Sequence, residues 1–452
     1  MSNVNYLALL LLIEMPLILL FTKKDFLSMP FLASALFFLL SSAYSFYFDF
    51  FGRDILVETM AIIQCTILFL FIGEWLGKSF VIGKLSSRLK SHASESKDHC
   101  VPLVTSNALT YFLFLVFIGC GIISFYSLFA FSMRMGNQDI SSTIAYTRGF
   151  LTSEDKLYRN PISYFQYLLM GIAYVYLFYY LYNAIMCGKR KSILLLPPLG
   201  YLFFLMTTTS RINMIETGII STGLIFVMFL KKGTKTFNFK KLAKIGILFI
   251  CSMFALMYAY GYFLRQRDFP FVYFFNAYFT AGLYGLDTYV RLPWEDNFFA
   301  QRSLHEIYVY LEKITGDTYD LGKRFMPFYR FKYGGSNTYT GLATVILDYG
   351  VHGMFLVYMV LAALYGWMGK KVRQVRQIEK HVLLTLMYCF FFYIAVFIVI
   401  SDRLTLILSV PFIFRILSIC IGNWLYLKFV KKERMKTEEL SCDKTTGVHN
   451  FV

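Results

Sequence analysis

Seven arginines occupy places where a guanidinium could hold a phosphate. Arg211 follows Thr207, Thr208, Thr209 and Ser210 at a tight turn between two apolar runs. Arg265 and Arg267 flank Gln266, Arg291 follows an aromatic-dense segment, Arg324 and Arg330 come later in the same stretch, and Arg403 follows Asp402. Arginine grips phosphate through two parallel N–H donors and keeps its charge when partly desolvated. An arginine at a lipid–water boundary also snorkels to headgroups, and that reading stands beside the phosphate one. Arg211 leans towards phosphate, because the hydroxyls behind it point to a polar pocket at membrane depth. Glu216 lies five residues further on, inside an apolar run, so its carboxyl must face other helices. It either pairs with an arginine or takes a proton from a hydroxyl. His305 and Glu306 are a candidate base pair, with a solvated histidine as the other reading.

Several chemistries have no residues to support them. The sequence has no phosphate-binding glycine–lysine loop, no dinucleotide glycine fingerprint, no HExxH and no DxD pair. No metal site, cofactor or nucleotide is therefore expected. An activated substrate must carry its own leaving group.

The elements that position these residues are apolar runs. Of 452 residues, 57% are hydrophobic and 16% charged, with mean hydropathy +0.56. That is too much apolar surface for a soluble core, and lipid is the solvent that accepts it. Runs near the twenty residues a spanning helix needs fall at 3–21, 26–48, 55–77, 106–131, 161–187, 193–209, 212–230, 242–264, 351–369, 382–400 and 404–428. The expectation is an all-α polytopic membrane protein of about eleven spans, residues 1–434 forming one membrane-embedded domain and 435–452 a disordered tail. One set of alternate loops carries 26 Lys and Arg and the opposite set 16, nine of them in one long segment. The first set is then cytoplasmic, with the N-terminus outside and the C-terminus inside. The net charge of +17 reads as this topology signal and not as a nucleic-acid footprint.

The long outer segment, about 265–350, is where material for function collects. Phe271 to Tyr289 reads as an interfacial or re-entrant helix, and Ser303 to Lys313 as a short amphipathic one. Six of the eight cysteines fall in or beside apolar runs, two in basic segments and none outside. No CxxC occurs, so neither a structural disulfide nor a zinc site is expected.

One stretch is specific. Gly335-Ser336-Asn337-Thr338-Tyr339-Thr340, followed by Leu347-Asp348-Tyr349-Gly350-Val351-His352-Gly353, leads into an apolar helix. It resembles the N-x-Y-T … D-[FY]-G-x-x-G signature of Wzy-type O-antigen and oligosaccharide repeat-unit polymerases. The Thr-Ser-Arg211 turn is similar to a Gly/Ser-Arg element that this family places between two mid-chain helices. The resemblance implies a membrane-embedded glycosyltransferase of the GT-C kind in a bacterial inner membrane. Its substrate would be undecaprenyl-pyrophosphate-linked oligosaccharide, joined at the periplasmic face, with membrane lipid around it and a chain-length regulator as possible partner. Arg211, Arg265, Arg267, Arg291 and Arg403 would bind the pyrophosphate. Arg211, Glu216, His305, Glu306 and Asp348 would serve the chemistry, and Asn337, Tyr339 and Thr340 the glycan. A flippase would be expected to show an internal repeat, and none is visible. An O-antigen ligase shares the plan of helices plus a large outer loop, but not the N-x-Y-T … D-Y-G element.

The orientation has a direct test. Cysteines introduced at Asn160, Gly316 and Asp402 should react with an impermeant thiol reagent from outside, and one at Gly233 should not. Labelling of Gly233 in intact spheroplasts would contradict the assignment.

Overall fold

The apolar runs fold as helices because a chain in lipid must satisfy its backbone N–H and C=O groups within itself. The computed structural model describes residues 2–79, 101–136, 165–207, 212–232, 270–293, 298–319, 327–401 and 409–445, with isolated positions at 142–143, 147, 252, 255, 258–259, 403–404 and 407. The described residues are 79% helical. In chain order the helices begin with α1 (Asn3–Phe21), α2 (Met29–Phe46), α3 (Phe48–Phe51) and α4 (Val57–Ser79). Next come α5 (Asn107–Arg134), α6 (Phe165–Leu181), α7 (Leu196–Met206) and α8 (Ile212–Lys232). After α9 (Phe271–Phe275), α10 (Ala281–Arg291) and α11 (His305–Thr315) stands an antiparallel hairpin of β1 (Tyr329–Phe331) and β2 (Gly334–Ser336). The last three are α12 (Gly341–Gln374), α13 (Val382–Phe397) and α14 (Val410–Thr445).

Among the described residues eight helices are long and apolar enough to cross a membrane, and two further apolar stretches, Ser192–Met206 and Val382–Phe397, are shorter. The run 242–264 lies mostly outside the described residues. Three features differ from the sequence reading. The ninth run, expected at 351–369, is a helix from Gly341 to Gln374, broken at Gly350 where φ is 70° and ψ 173°. The turn chemistry of the D-Y-G element hid a helical segment before it, and glycine takes that left-handed backbone without a Cβ penalty. The final helix runs to Thr445, into the stretch read as a tail. Cys187 is disulfide-bonded, against the expectation of none, while Cys65, Cys120, Cys389 and Cys420 are free. Pairing depends on tertiary proximity, which cysteine spacing does not encode.

The chain forms two units. The first comprises 1–95, 268–375 and 387–412, the second 96–267, 376–386 and 413–452. In the first, α4 packs along α12. Gly73 and Gly77 make that approach possible: a methyl on Gly77 would lie 1.9 Å from the carbonyl oxygen of Ala363, and one on Gly73 2.1 Å from that of Met359. Such small-xxx-small seams are how helices associate where no hydrophobic driving force acts between them.

Carboxylates distant in sequence finish the helix ends of this unit. Asp54 accepts from the backbone N–H of Asn3 (2.5 Å) and Val4 (3.1 Å) at the start of α1. Glu74 accepts from Met29 N (2.7 Å) and Ser28 Oγ (3.1 Å) at the start of α2. Neither helix has a local side-chain cap, so these acids take N–H groups that would otherwise be orphaned. Around Glu74 a charge network closes the end of the unit remote from Asn3. Lys78 pairs with Glu74 and with Asp25 (3.0 Å), Arg373 bonds Asp25 at 2.6 Å, and the Tyr365 hydroxyl donates to Leu27 O at 2.6 Å. Burial alone would raise the Asp25 pKa, but the charges of Arg373 and Lys78 outweigh it and hold the carboxyl below its usual range.

In the second unit α6 packs on α14. Tyr179 stacks on Tyr426 with ring centroids 3.9 Å apart, the Tyr179 hydroxyl donates to Asn423 Oδ1 at 2.9 Å, and Ser418 Oγ donates to Leu168 O at 2.6 Å. Asn183, in a π-helical turn after α6, exchanges two bonds with the backbone of Leu103, at 2.8 and 2.6 Å.

The α4–α12 seam makes a prediction. Gly77→Leu should cut the yield of monodisperse protein in detergent, since overpacking costs about 1–3 kcal/mol or more where backbone must move. Gly119→Leu, with nothing within 4 Å of the added carbon, should not. Equal size-exclusion profiles for the two would refute the seam.

Candidate functional site

In the long outer segment, helices occupy both stretches read as helical, 271–291 and His305–Thr315. Residues 271–291 are continuously helical, α9 and α10 being joined by a π turn at Asn276–Thr280. They are mostly buried against α2, α4 and α12, so this helix is surrounded by protein along much of its length. A π turn widens the backbone and frees a carbonyl, and such bulges mark functional sites often. Here the Ala277 carbonyl accepts from Ser336 Oγ (2.8 Å) and Thr338 Oγ1 (3.2 Å). One turn on, the Tyr329 hydroxyl lies 2.5 Å from both Ala281 O and Thr338 O, and the Tyr284 hydroxyl donates to Arg330 O at 3.2 Å.

The hairpin and the N-x-Y-T element are thus pinned to α9–α10. Asn337 is exposed and makes none of these bonds, while Tyr339 is buried and donates to Pro327 O at 3.0 Å. Burial pushes the Tyr339 phenol up to about 12 against the pull of the Arg302 guanidinium, so it stays a neutral donor near neutral pH. Thr340 is buried at the start of α12, its hydroxyl without a hydrogen-bond partner. Asp348 sits in the helical segment before Gly350. Its carboxylate accepts from Arg302 N (3.1 Å), Ser303 N (2.8 Å) and Ser303 Oγ. It therefore holds the turn that leads into α11, where His305 is the first residue. The Glu306 side chain lies outside the described residues.

Arg291 is not a lone boundary cation. Its Nε donates to Asp287 at 2.7 Å and its second guanidinium arm to Asp54 O at 2.7 Å. Arg53 approaches the same Asp287 oxygen at 3.4 Å, donates to Thr288 Oγ1 and lies over the Tyr284 ring at 4.0 Å. Asp287 is fully buried and also accepts from Leu56 N (2.7 Å) and Thr59 Oγ1 (3.0 Å), next to the start of α4. Two guanidiniums with about a third of each side chain exposed thus share one buried carboxylate. The cluster can present N–H donors outward to an anion. Arg403 lies with its guanidinium 5.3 Å from the Phe397 ring, and its buried Nε has no hydrogen-bond partner.

In the second unit Glu216 resolves the choice left open by the sequence. It pairs with Arg415 of α14 through two bonds, at 2.7 and 3.2 Å, with side chains 2% and 6% exposed. The Tyr167 ring stands 5.5 Å from the Arg415 guanidinium, and the Tyr174 hydroxyl lies 3.3 Å from Thr217 Oγ1. Arg211, Arg265 and Arg267 fall outside the described residues. Sequence reasoning missed Arg53, Asp287, Arg302 and Arg415. For Arg415 the signal was present, because an arginine inside an apolar run demands a buried partner. For Asp287 it was weak, since an acid in a helix read as interfacial or re-entrant needs no buried partner until the helix proves to be surrounded by protein.

The pair of Glu216 and Arg415 gives a prediction. Arg415→Leu should lower the thermal stability of the solubilised protein, because removing one partner of a buried pair costs about 3–5 kcal/mol. Glu216→Leu with Arg415→Leu together should recover most of that loss. A single variant as stable as the parent would show that the charges do not meet.

Family models, curated proteins and solved structures were compared with the chain, and none matches it.

Proposed function

We propose that the protein is a repeat-unit polymerase of the O-antigen kind, a GT-C-type glycosyltransferase working at the periplasmic face of a bacterial inner membrane. The observation that carries the reading is the placement of the resemblance motif. Its two halves, Asn337–Thr340 and Asp348–Gly353, flank the start of α12. Thr338 of the first donates to Ala277 O in the helix 271–291, and Asp348 of the second holds the turn at Arg302 and Ser303. In this reading the ten apolar helical stretches and the 242–264 run make eleven spans, with the Asn3 end of the first unit outward.

The reaction needs no nucleotide. A hydroxyl oxygen of the incoming unit's terminal sugar attacks the anomeric carbon of the growing chain. The bond from that carbon to the pyrophosphate oxygen breaks, the lipid pyrophosphate leaves with the electron pair, and the hydroxyl proton passes to a base. Arg211, Arg265, Arg267, Arg291 and Arg403 are the candidates for balancing charge on the leaving pyrophosphate, and Arg53 joins them through Asp287. Asn337, Tyr339 and Thr340 are assigned to the glycan. His305 and Glu306 are the candidate bases. Asp348 acts through the turn it holds. Glu216, committed to Arg415, organises the helix that follows Arg211.

Arg211 offers the sharpest test. Arg211→Ala should abolish polymer in protein that inserts at normal level. Arg211→Lys should lose a hundredfold to a thousandfold in rate, roughly 3–4 kcal/mol, because a point charge cannot replace the planar fork. Near-normal polymer with lysine would leave Arg211 a headgroup anchor, since lysine snorkels equally well.

A further inference from the structure

Helix α11 leaves one face uncovered. Ile307, Tyr310, Leu311 and Ile314 are 45%, 49%, 37% and 80% exposed. Their spacing of i, i+3, i+4 and i+7 puts all four on one stripe of an α-helix. The other side is already occupied. Tyr308 packs with Phe298 and Tyr319, at centroid distances of 5.9 and 5.7 Å, and its hydroxyl donates to Phe299 O at 2.7 Å. Glu312 Oε1 accepts from Tyr319 N at 2.9 Å.

The level at which α11 starts is fixed by its tether. Ser303 is bonded to Asp348, and Phe299 packs edge-on against Tyr349 at 5.5 Å. Both anchor points are in α12, just before the break at Gly350. With 34 residues α12 measures about 51 Å, at 1.5 Å per residue. A hydrocarbon core about 30 Å thick takes up roughly twenty of those residues. At the far end of α12, Lys370 donates to the carbonyl of Lys78, the last turn of α4, beside the basic pair Lys370–Lys371. Counting twenty residues back from Lys370 reaches Gly350. Asp348 and Tyr349 therefore stand at headgroup level, and so does the start of α11.

We propose that α11 lies in the plane of the membrane surface at the Asn3 end of the first unit, with Ile307, Tyr310, Leu311 and Ile314 sunk into the boundary between headgroups and acyl chains. The occupant of the apolar stripe is phospholipid. The helix carries His305, Glu306, Glu312 and Lys313, a near-balanced set, so the attachment is apolar and not a polybasic attraction to anionic lipid. This requires that the chain spans a membrane but not that it is a polymerase.

The test uses the full-length protein in phosphatidylethanolamine–phosphatidylglycerol vesicles, with photoreactive benzoylphenylalanine replacing Ile307, Ile314 or Lys313 in turn. Irradiation at Ile307 and Ile314 should give peptides carrying the mass of one phospholipid, in severalfold higher yield than at Lys313. The yield should not change when salt is raised or phosphatidylglycerol is omitted. Absence of lipid adducts at Ile307 and Ile314, or equal yield at all three positions, would overturn the proposal. So would a cross-link to a second copy, or in intact cells to another polypeptide, in place of lipid. Because the readout is a lipid adduct, it is independent of whether polymer is made.

Discussion

Helix starts govern this structure. A helix entering a medium without water leaves its first N–H groups unpaired. In the first unit a carboxylate remote in sequence meets this need near three of them: Asp54 at α1, Glu74 at α2, and Asp287 just before α4. Hydrogen bonds to a charged group contribute about 1.5–3 kcal/mol each. Leaving such donors buried and unmet would cost a comparable amount. These bonds also set the register of α1, α2 and α4, so the Gly73–Gly77 seam of α4 lines up with Met359 and Ala363 of α12. The position of α12 then decides where Asp348 and the residues it holds come to rest.

The same economy of charge shapes the candidate chemistry. Two acids that the sequence offers as catalysts are committed to backbone and to arginine: Asp348 to the turn at Arg302 and Ser303, Glu216 to Arg415. Arg53 and Arg291 share Asp287 and keep part of each guanidinium exposed, and Asn337 projects beside a hairpin whose own hydroxyls are bonded to Ala277. Under the proposed function, Arg53, Arg291 and Asn337 are the groups offered to a phosphate-bearing, hydroxyl-rich substrate.

Much of the helical layout was legible in the apolar runs, because lipid leaves the backbone few alternatives. The aromatic stretch from Phe271 was readable as a helix from its density of aromatics and the alternation of basic loops, and α11 as amphipathic. The hairpin was not, since three-residue strands carry no usable alternation. The start of α12 at Gly341 was hidden because Gly, Thr and Asp at its beginning read as loop. Partnerships were the least legible. Glu216 and Arg415 are 199 positions apart, and nothing in either local sequence names the other. The same holds for the disulfide at Cys187. Of the candidate site, the motif residues were singled out by resemblance, and their roles as clamps came only from their contacts.

The central claim is that the chain joins lipid-linked units at the outer face. The most direct measurement is the state of lipid-linked oligosaccharide in a strain from which the gene is deleted. The account predicts single repeat units on undecaprenyl pyrophosphate, accumulated on the periplasmic face and extended again when the gene is restored. Accumulation on the cytoplasmic face would contradict it and indicate a flippase. Long chains made but left unattached would contradict it as well, and indicate a ligase.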